Sequence, residues 1–126
     1  MMMAEYNYNK TLKDIYPNID FSKHEYIEED NLETINKKIL REYSNYDILS
    51  IIKEGLCLEV LVLFAVDLLE ENAFEQGDMK PGDMLEGLIG IDGDFWSDHM
   101  SLKERLEETI KEQILFLENS LLRLNQ

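Results

Sequence analysis

The C-terminal part of the chain carries an apolar stripe that only a helix can gather on one side. Six aliphatic residues follow one another at intervals of three or four: Leu106, Ile110, Ile114, Leu117, Leu121 and Leu124. These intervals match the 3.6-residue turn of an α-helix, and such a stripe needs neighbouring elements to cover it. Three more apolar residues widen the stripe: Leu115, Phe116 and Leu122. The sequence therefore predicts an all-α helical bundle with a long C-terminal helix over residues 102–124.

Two helices are predicted before residue 55. The first covers residues 31–43, where four apolar side chains share one face: Leu32, Ile35, Ile39 and Tyr43. Asn45 is expected to cap a second helix over residues 46–54, and Gly55 to end it.

Two later helices have a capping residue followed by a glutamate three positions on, which is the pattern of a capping box. Ser101 is expected to cap the long last helix. Asp83 is expected to cap a short helix that Gly90 ends, after a turn-rich linker over residues 76–83. With the apolar segment that follows Gly55, the prediction is a bundle of about five helices.

Residues 56–72 form the most apolar segment, and their pattern leaves two interpretations open. Several valines suit a β-strand, and alternate residues are apolar. The length favours a helix, because strands usually span four to eight residues. Glu59 and Asp67 would also lie within about 80° of each other on a helix. A central helix buried on most sides is the prediction, with a strand over residues 56–69 as the alternative.

The N-terminal segment, residues 1–29, is polar and is predicted to be irregular. Its aromatic residues are expected to hold it against the fold: Tyr6, Tyr8, Tyr16, Phe21 and Tyr26. A chain of 126 residues fits a single domain over residues 1–126, and it is long enough to bury a core without disulfides.

The residue inventory offers little for catalysis or cofactor binding. Cys57 is the one cysteine, and the two histidines, His24 and His99, are far apart in sequence, so no zinc-binding spacing exists. Asp92 and Asp94 flank a glycine, but the following residues do not continue an EF-hand loop. No metal, no cofactor and no catalytic residue is predicted, and an enzyme is the least favoured class.

Net charge gives more information about partners. The chain carries −15 overall, and residues 55–100 contribute −10 of it through eleven acidic residues and one lysine, Lys80. Such a chain repels phosphate backbones, which argues against direct nucleic-acid binding. It attracts basic proteins instead and accelerates their association.

The same features indicate where the protein works. A single cysteine and the lack of an apolar leader favour a reducing compartment, so a cytoplasmic location is expected. The longest apolar run, residues 56–69, contains two acids and is shorter than the roughly 20 residues of a membrane span. No membrane association is expected.

Several stretches between residues 44 and 110 resemble the contact-dependent growth-inhibition (CDI) immunity proteins of bacteria. These are the apolar run that ends in Leu-Glu-Glu-Asn at residues 69–72, the acidic Gly-Asp turn at 77–78, the Pro-Gly-Asp-Met-Leu-Glu start at 81–86 and the Phe-Trp pair at 95–96. The resemblance implies an immunity protein that binds and neutralises the C-terminal toxin domain of a contact-delivered effector. Such toxins are commonly nucleases, which must present a basic surface to their substrate.

Under this resemblance, the acids and the tryptophan between residues 70 and 98 are the expected toxin-binding residues. They are Glu70, Glu71, Glu75, Asp78, Glu86, Asp92, Asp94, Trp96 and Asp98. Core packing is the alternative role for the tryptophan. The alternative function is a non-enzymatic acidic adaptor or regulatory protein that forms a homodimer through the C-terminal helix.

Overall fold

The structure is a computed structural model, and it describes residues 8–23 and 27–126. Seven α-helices occur in this part of the chain: α1 (Leu12–Ile15), α2 (Glu29–Lys37), α3 (Asn45–Lys53), α4 (Leu58–Glu71), α5 (Asp83–Ile89), α6 (Gly93–Asp98) and α7 (Met100–Leu124). Two 3₁₀ turns lie between them, at Phe21–Lys23 and Leu40–Glu42. The described residues form no strand, so the all-α prediction with a long C-terminal helix is confirmed.

Helix α4 is the centre of the core, and α3, α5 and α7 pack around it. The strand alternative for residues 56–69 is wrong. Buried side chains occur on several sides of α4: Leu61, Val62, Phe64, Ala65, Val66 and Leu69. This burial explains why the segment lacks a clear helical period, because a helix covered on most sides has little need of a polar face.

Helix α7 packs beside α4 and runs in the same direction. His99, just before α7, lies 3.9 Å from the carboxylate of Glu59 near the start of α4. Further along both helices, the Arg105 guanidinium bridges two acids of α4, with Nη2 2.7 Å from Asp67 and 2.5 Å from Glu70. Because α4 ends at Glu71, the last turns of α7 extend beyond it.

The N-terminal segment is more regular than predicted. Thr11 and Asp14 form a capping box at the start of α1, and Leu12 and Phe21 are buried in the core. Tyr8 packs edge-on against Phe64 with ring centroids 5.5 Å apart. The expected anchoring role of the aromatics is confirmed for Tyr8, Tyr16 and Phe21. The same expectation for Tyr6 and Tyr26 lies outside the described residues.

The first predicted helix ends early for a long-range reason. Helix α2 stops at Lys37, and residues 39–42 turn back to pair with the N-terminal segment. The backbone N–H of Leu40 donates to the carbonyl of Lys10 at 3.0 Å, and that of Arg41 to the carbonyl of Tyr8 at 3.0 Å. The sequence around residues 37–42 does not reveal these partners, because they lie about thirty residues earlier in the chain.

Several predicted caps are displaced by a residue or more. Ser44, rather than Asn45, caps α3 in a capping box with Asp47. Gly82, with φ +90°, precedes α5 where Asp83 was expected to cap. Ser101 lies inside α7, because the N–H of Lys103 already donates to the carbonyl of residue 99. The predicted stops at Gly55 and Gly90 are confirmed.

Residues 93–98 form helix α6, with Asp92 as its cap. Within residues 8–23 and 27–126, none of the helices combines the length and apolar character that a membrane crossing demands.

Candidate protein-binding surface

The structure divides the predicted toxin-binding residues between the two ends of α4. Glu70 and Glu71 close the helix, and Glu75 and Asp78 follow in the loop after it. The other five residues lie at or beyond α5, and two of them, Glu86 and Asp92, line a groove with Leu58 at the start of α4. Glu86 also lies 3.4 Å from Lys80 of that loop, so it connects the two groups. Fourteen residues of helix span about 21 Å, so a small contact patch at the loop does not reach the residues near the start of α4.

The loop over residues 72–82 is held by one carboxylate. Asp83 accepts backbone N–H groups from four consecutive residues of the loop: Gly77, Asp78, Met79 and Lys80. These bonds, that of Gly77 above all, hold the pKa of Asp83 well below its usual range. The aspartate that was expected to cap a helix therefore organises the loop that precedes the helix.

Further contacts fix both ends of the loop. Asn45 donates to the carboxylate of Glu75 at 2.8 Å and to the carbonyl of Gln76 at 3.1 Å. The N–H of Gly82 donates to the carbonyl of Phe74 at 2.9 Å, which closes the loop on itself. The side-chain amide of Asn72 accepts the N–H of Phe74 at 3.0 Å. A loop with this many internal bonds has little conformational freedom to lose when a partner binds.

This loop presents apolar side chains among its acids. Glu71 and Asp78 are exposed. Phe74 is 47 % exposed and Met79 is 83 % exposed. Aromatic residues and methionine are enriched in protein interfaces, where they supply apolar contact within a polar rim. Neither residue is among the predicted binding residues, because no local pattern reveals which apolar residues of a loop point outward.

Two of the predicted acids also have structural roles. Glu70 pairs with Arg105, and this hydrogen bond lowers the pKa of Glu70. Glu75 is half-buried and bonded to Asn45. Their substitution would disturb the fold as well as any partner contact, whereas Glu71 and Asp78 make no such bond among the described side chains.

The second group of predicted residues surrounds α6. Asp92 accepts the N–H of Asp94 at 3.0 Å as the helix cap. Asp94 and Asp98 are exposed, and Glu86 lies 3.4 Å from Lys80 on the surface. Trp96 is half-buried against the core and meets Phe95 edge-on at 5.3 Å. Core packing therefore accounts for much of the tryptophan surface.

Groups that could support chemistry are sparse in the described structure. Burial raises the pKa of the Cys57 thiol to about 12, which leaves it protonated and unreactive near neutral pH. His99 stacks on Phe95 with ring centroids 4.1 Å apart, and its Nδ1 lies 2.8 Å from the carbonyl of that residue. Among residues 8–23 and 27–126, no three side chains of the metal-binding types come together.

Comparison with known protein families gives a match. The sequence profile of a family described as CDI immunity proteins matches residues 15–106, which include α2 to α6 and the start of α7. The match confirms the resemblance seen over residues 44–110 and extends it toward the N-terminus. The comparisons with curated proteins and with solved structures gave no match.

Proposed function

Because the chain belongs to the family of CDI immunity proteins, we propose that it neutralises its cognate CDI toxin by direct binding through the loop over residues 72–82. The toxin is a nuclease under this proposal, and the protein acts in the cytoplasm without catalysis of its own. The observation that carries the proposal is a fixed loop that combines exposed acids with exposed apolar side chains.

Charge favours a nuclease as the toxin. A nuclease holds a phosphate backbone, so its substrate surface is basic. Residues 55–100 carry −10, which would draw such a surface in and raise the association rate. An inhibitor bound there would block access of the nucleic acid to the active site.

The loop would supply contact as well as charge. Phe74 and Met79 are apolar anchors that a partner can bury, and Glu71 and Asp78 can face its basic side chains. The bonds from Asp83 keep the loop in one shape before binding, which lowers the entropy cost of association. The acids around α6, near the other end of α4, would attract the toxin through the long-range electrostatic field of the molecule without contacting it.

The test is a titration of the cognate CDI toxin domain against this protein, at low and high salt. We expect tight binding that weakens with salt and abolishes toxin activity. The double variant Glu71→Lys/Asp78→Lys should associate at least about 10-fold more slowly, since steering by opposite charges can change association rates by 10-fold to 1,000-fold. Stability should change by less than about 0.5 kcal/mol per substitution.

The matched control is Asp94→Lys/Asp98→Lys, which makes the same charge change near the other end of α4. Its association rate should fall by no more than about threefold, from the lost long-range attraction alone. Equal effects of the two double variants would rule out the loop as the contact. Failure of the wild-type protein to bind or inhibit the toxin would overturn the function itself.

The second candidate function is an acidic adaptor or regulatory protein that acts as a homodimer. One observation favours it: several large apolar side chains on the last turns of α7 are exposed. Self-association without any toxin binding would support the adaptor. Salt-sensitive toxin binding would support immunity whether or not the chain also pairs with itself.

A further inference from the structure

The last turns of α7 leave the body of the protein. Thr109 is the last buried residue of the helix, and α4, beside which α7 runs, ends at Glu71. Glu70 of α4 shares a surface depression with residues of α7 as far as Glu112. Residues 113–124 therefore project beyond α4, over about 18 Å at 1.5 Å per residue.

This projecting end is apolar to an unusual degree. Seven of its side chains are at least half exposed: Ile114, Leu115, Phe116, Leu117, Leu121, Leu122 and Leu124. Together they present on the order of 700 Å² of apolar surface around the helix, where the largest contiguous patch on a typical monomer is ~300–600 Å². A standard interface buries about 800 Å² on each partner, so this end of α7 supplies the apolar part of an interface below the standard size.

The spacing of these residues fits a helix as the occupant. Ile114, Leu117, Leu121 and Leu124 follow at intervals of three, four and three, which places them within about 80° of one another. That is the spacing of a coiled-coil seam, whose partner must carry the same pattern. A second copy carries it by definition, and identical patches form a closed two-fold pair.

Charge indicates which occupant is favoured. Residues 113–126 contain one acid, Glu118, and one base, Arg123, so the projecting end is neutral although the chain carries −15. A basic partner such as a nuclease would find no excess of opposite charge there. Two copies would meet without repulsion at the seam itself.

The charge of the bodies determines the orientation. A parallel pair would bring two acidic bodies side by side at one end of the seam. An antiparallel pair places them at opposite ends of about 18 Å of paired helix, more than twice the Debye length of ~8 Å at physiological salt. Antiparallel helices also align their dipoles favourably.

We propose that two copies of this chain pair antiparallel through residues 113–124 of α7. This inference does not rest on toxin binding, since it follows from the apolar surface and the charge of α7.

The first test is the mass in solution by sedimentation equilibrium over a range of concentrations. Wild-type protein should sediment at twice 14.8 kDa. The double variant Leu117→Glu/Leu121→Glu should raise the dimer dissociation constant more than about 100-fold, because each dimer would bury four carboxylates at its seam. Circular dichroism should show an unchanged helical body.

The control is Ile89→Glu on α5. Ile89 is 62 % exposed and Leu121 is 61 % exposed, so the substitution introduces a charge at equal exposure, and this variant should remain dimeric. A monomeric wild type across the range would overturn the proposal. A double variant that stays dimeric would overturn the placement of the seam. Loss of toxin binding by this double variant, with a monomeric wild type, would assign the surface to the toxin instead.

The second test addresses orientation by disulfide cross-linking. In the antiparallel pair, residue 117 of one copy faces residue 121 of the other. A mixture of Leu117→Cys and Leu121→Cys chains should therefore form mixed disulfides, and a parallel pair would link each variant to itself. Cys57 can stay in place, because burial raises its pKa to about 12.

Salt separates this proposal from the toxin proposal. Dimerisation should persist or strengthen at high salt, because salt screens the repulsion between acidic bodies and leaves apolar contact intact. Toxin capture should weaken under the same conditions. Dimerisation that is lost at high salt would contradict an apolar seam.

Discussion

At the scale of the residue, Asp83 shows how one carboxylate can organise a surface. Its two oxygens accept N–H groups from residues 77–80, and the loop wraps around them. Gly77 makes this approach possible, since a Cβ there would lie 2.5 Å from a methyl of Leu49 and 3.3 Å from the Asp83 carboxylate. The conformation of the loop therefore depends on the carboxylate of Asp83, which lies just after the loop, and on the absence of a side chain at Gly77.

Removal of the Asp83 charge should destabilise the protein at neutral pH. The hydrogen bond from Gly77, with those of the next three residues, lowers the pKa of Asp83 in the folded state. A group of this kind stabilises the fold above its unfolded pKa of about 3.9, and the stabilisation is lost as the pH falls toward the folded value. Asp83→Asn should melt below wild type at pH 7, and the difference should shrink below pH 4.

Thermal melts between pH 7 and pH 2 measure this effect. Asp98→Asn, at the exposed end of α6, is the control and should leave the melting temperature nearly unchanged. A constant difference between wild type and Asp83→Asn across the whole range would contradict a role for the charge.

At the scale of the element, the contact between α4 and α7 joins parts of the chain that are distant in sequence. Arg105 reaches both Asp67 and Glu70, and its side chain is 26 % exposed. Asp67 is 18 % exposed, so water screens this contact less than it screens a surface ion pair. The bridge sets the register of the two parallel helices.

Loss of this bridge should be measurable by urea unfolding. Arg105→Gln should lower the free energy of unfolding by about 1–2 kcal/mol, between the ~0–1 kcal/mol of exposed pairs and the ~3–5 kcal/mol of broken buried ones. Arg105→Lys should lie between this variant and wild type, because an ammonium cannot bridge two carboxylates as a guanidinium does. Arg123→Gln, exposed on the same helix, should change the value by less than about 0.5 kcal/mol; an equal loss in both would refute the bridge.

The elements that could be predicted are those whose signal is local. The stripe of α7 and the stop at Gly55 were readable because helix period and glycine turns depend on neighbours in sequence. The early end of α2 was not, because the N–H of Leu40 bonds to Lys10, thirty residues away. The N-terminal helix α1 was missed although its capping box at Thr11 and Asp14 is a local signal. The packing of this segment, such as Tyr8 on Phe64, depends on distant partners.

The candidate site divides in the same way. Its acids were chosen from the charge of the sequence, and their contact with a toxin stays a prediction. The exposure of Phe74 and Met79 could not be predicted, because it depends on how the loop folds around Asp83. The structural roles of Glu70 and Glu75 also appear only when their partners, Arg105 and Asn45, come near them.

At the scale of the whole molecule, the chain has a packed body and a projecting helix end. The core involves α7 no further than Thr109 and Ile110, and nearly all of the helix after residue 112 is exposed. The loop over residues 72–82 and the apolar end of α7 are thus separate parts of the surface. The two proposed binding activities can therefore be tested separately by substitution.

A chain that ends at residue 112 should keep the fold of the body. Its melting temperature should lie within about 5 °C of wild type, because the removed residues bury little apolar surface, and ~1 kcal/mol corresponds to several degrees in a domain of this size. It should be monomeric and should still bind the toxin. Calorimetry, sedimentation and toxin titration check these three points; a collapse of the melting transition would show that the projecting turns stabilise the body.

The parallel packing of α4 and α7 also affects how the protein is made. Helix α4 is complete at residue 71, but Leu106 and Thr109, which cover it from α7, are synthesised nearly forty residues later. At 5–20 residues per second, the ribosome needs about 2–8 s to add them. During that interval the most apolar helix of the chain lacks one of its neighbours, so a nascent chain is open to chaperones or to aggregation. The core can therefore close only after the ribosome has added residue 109.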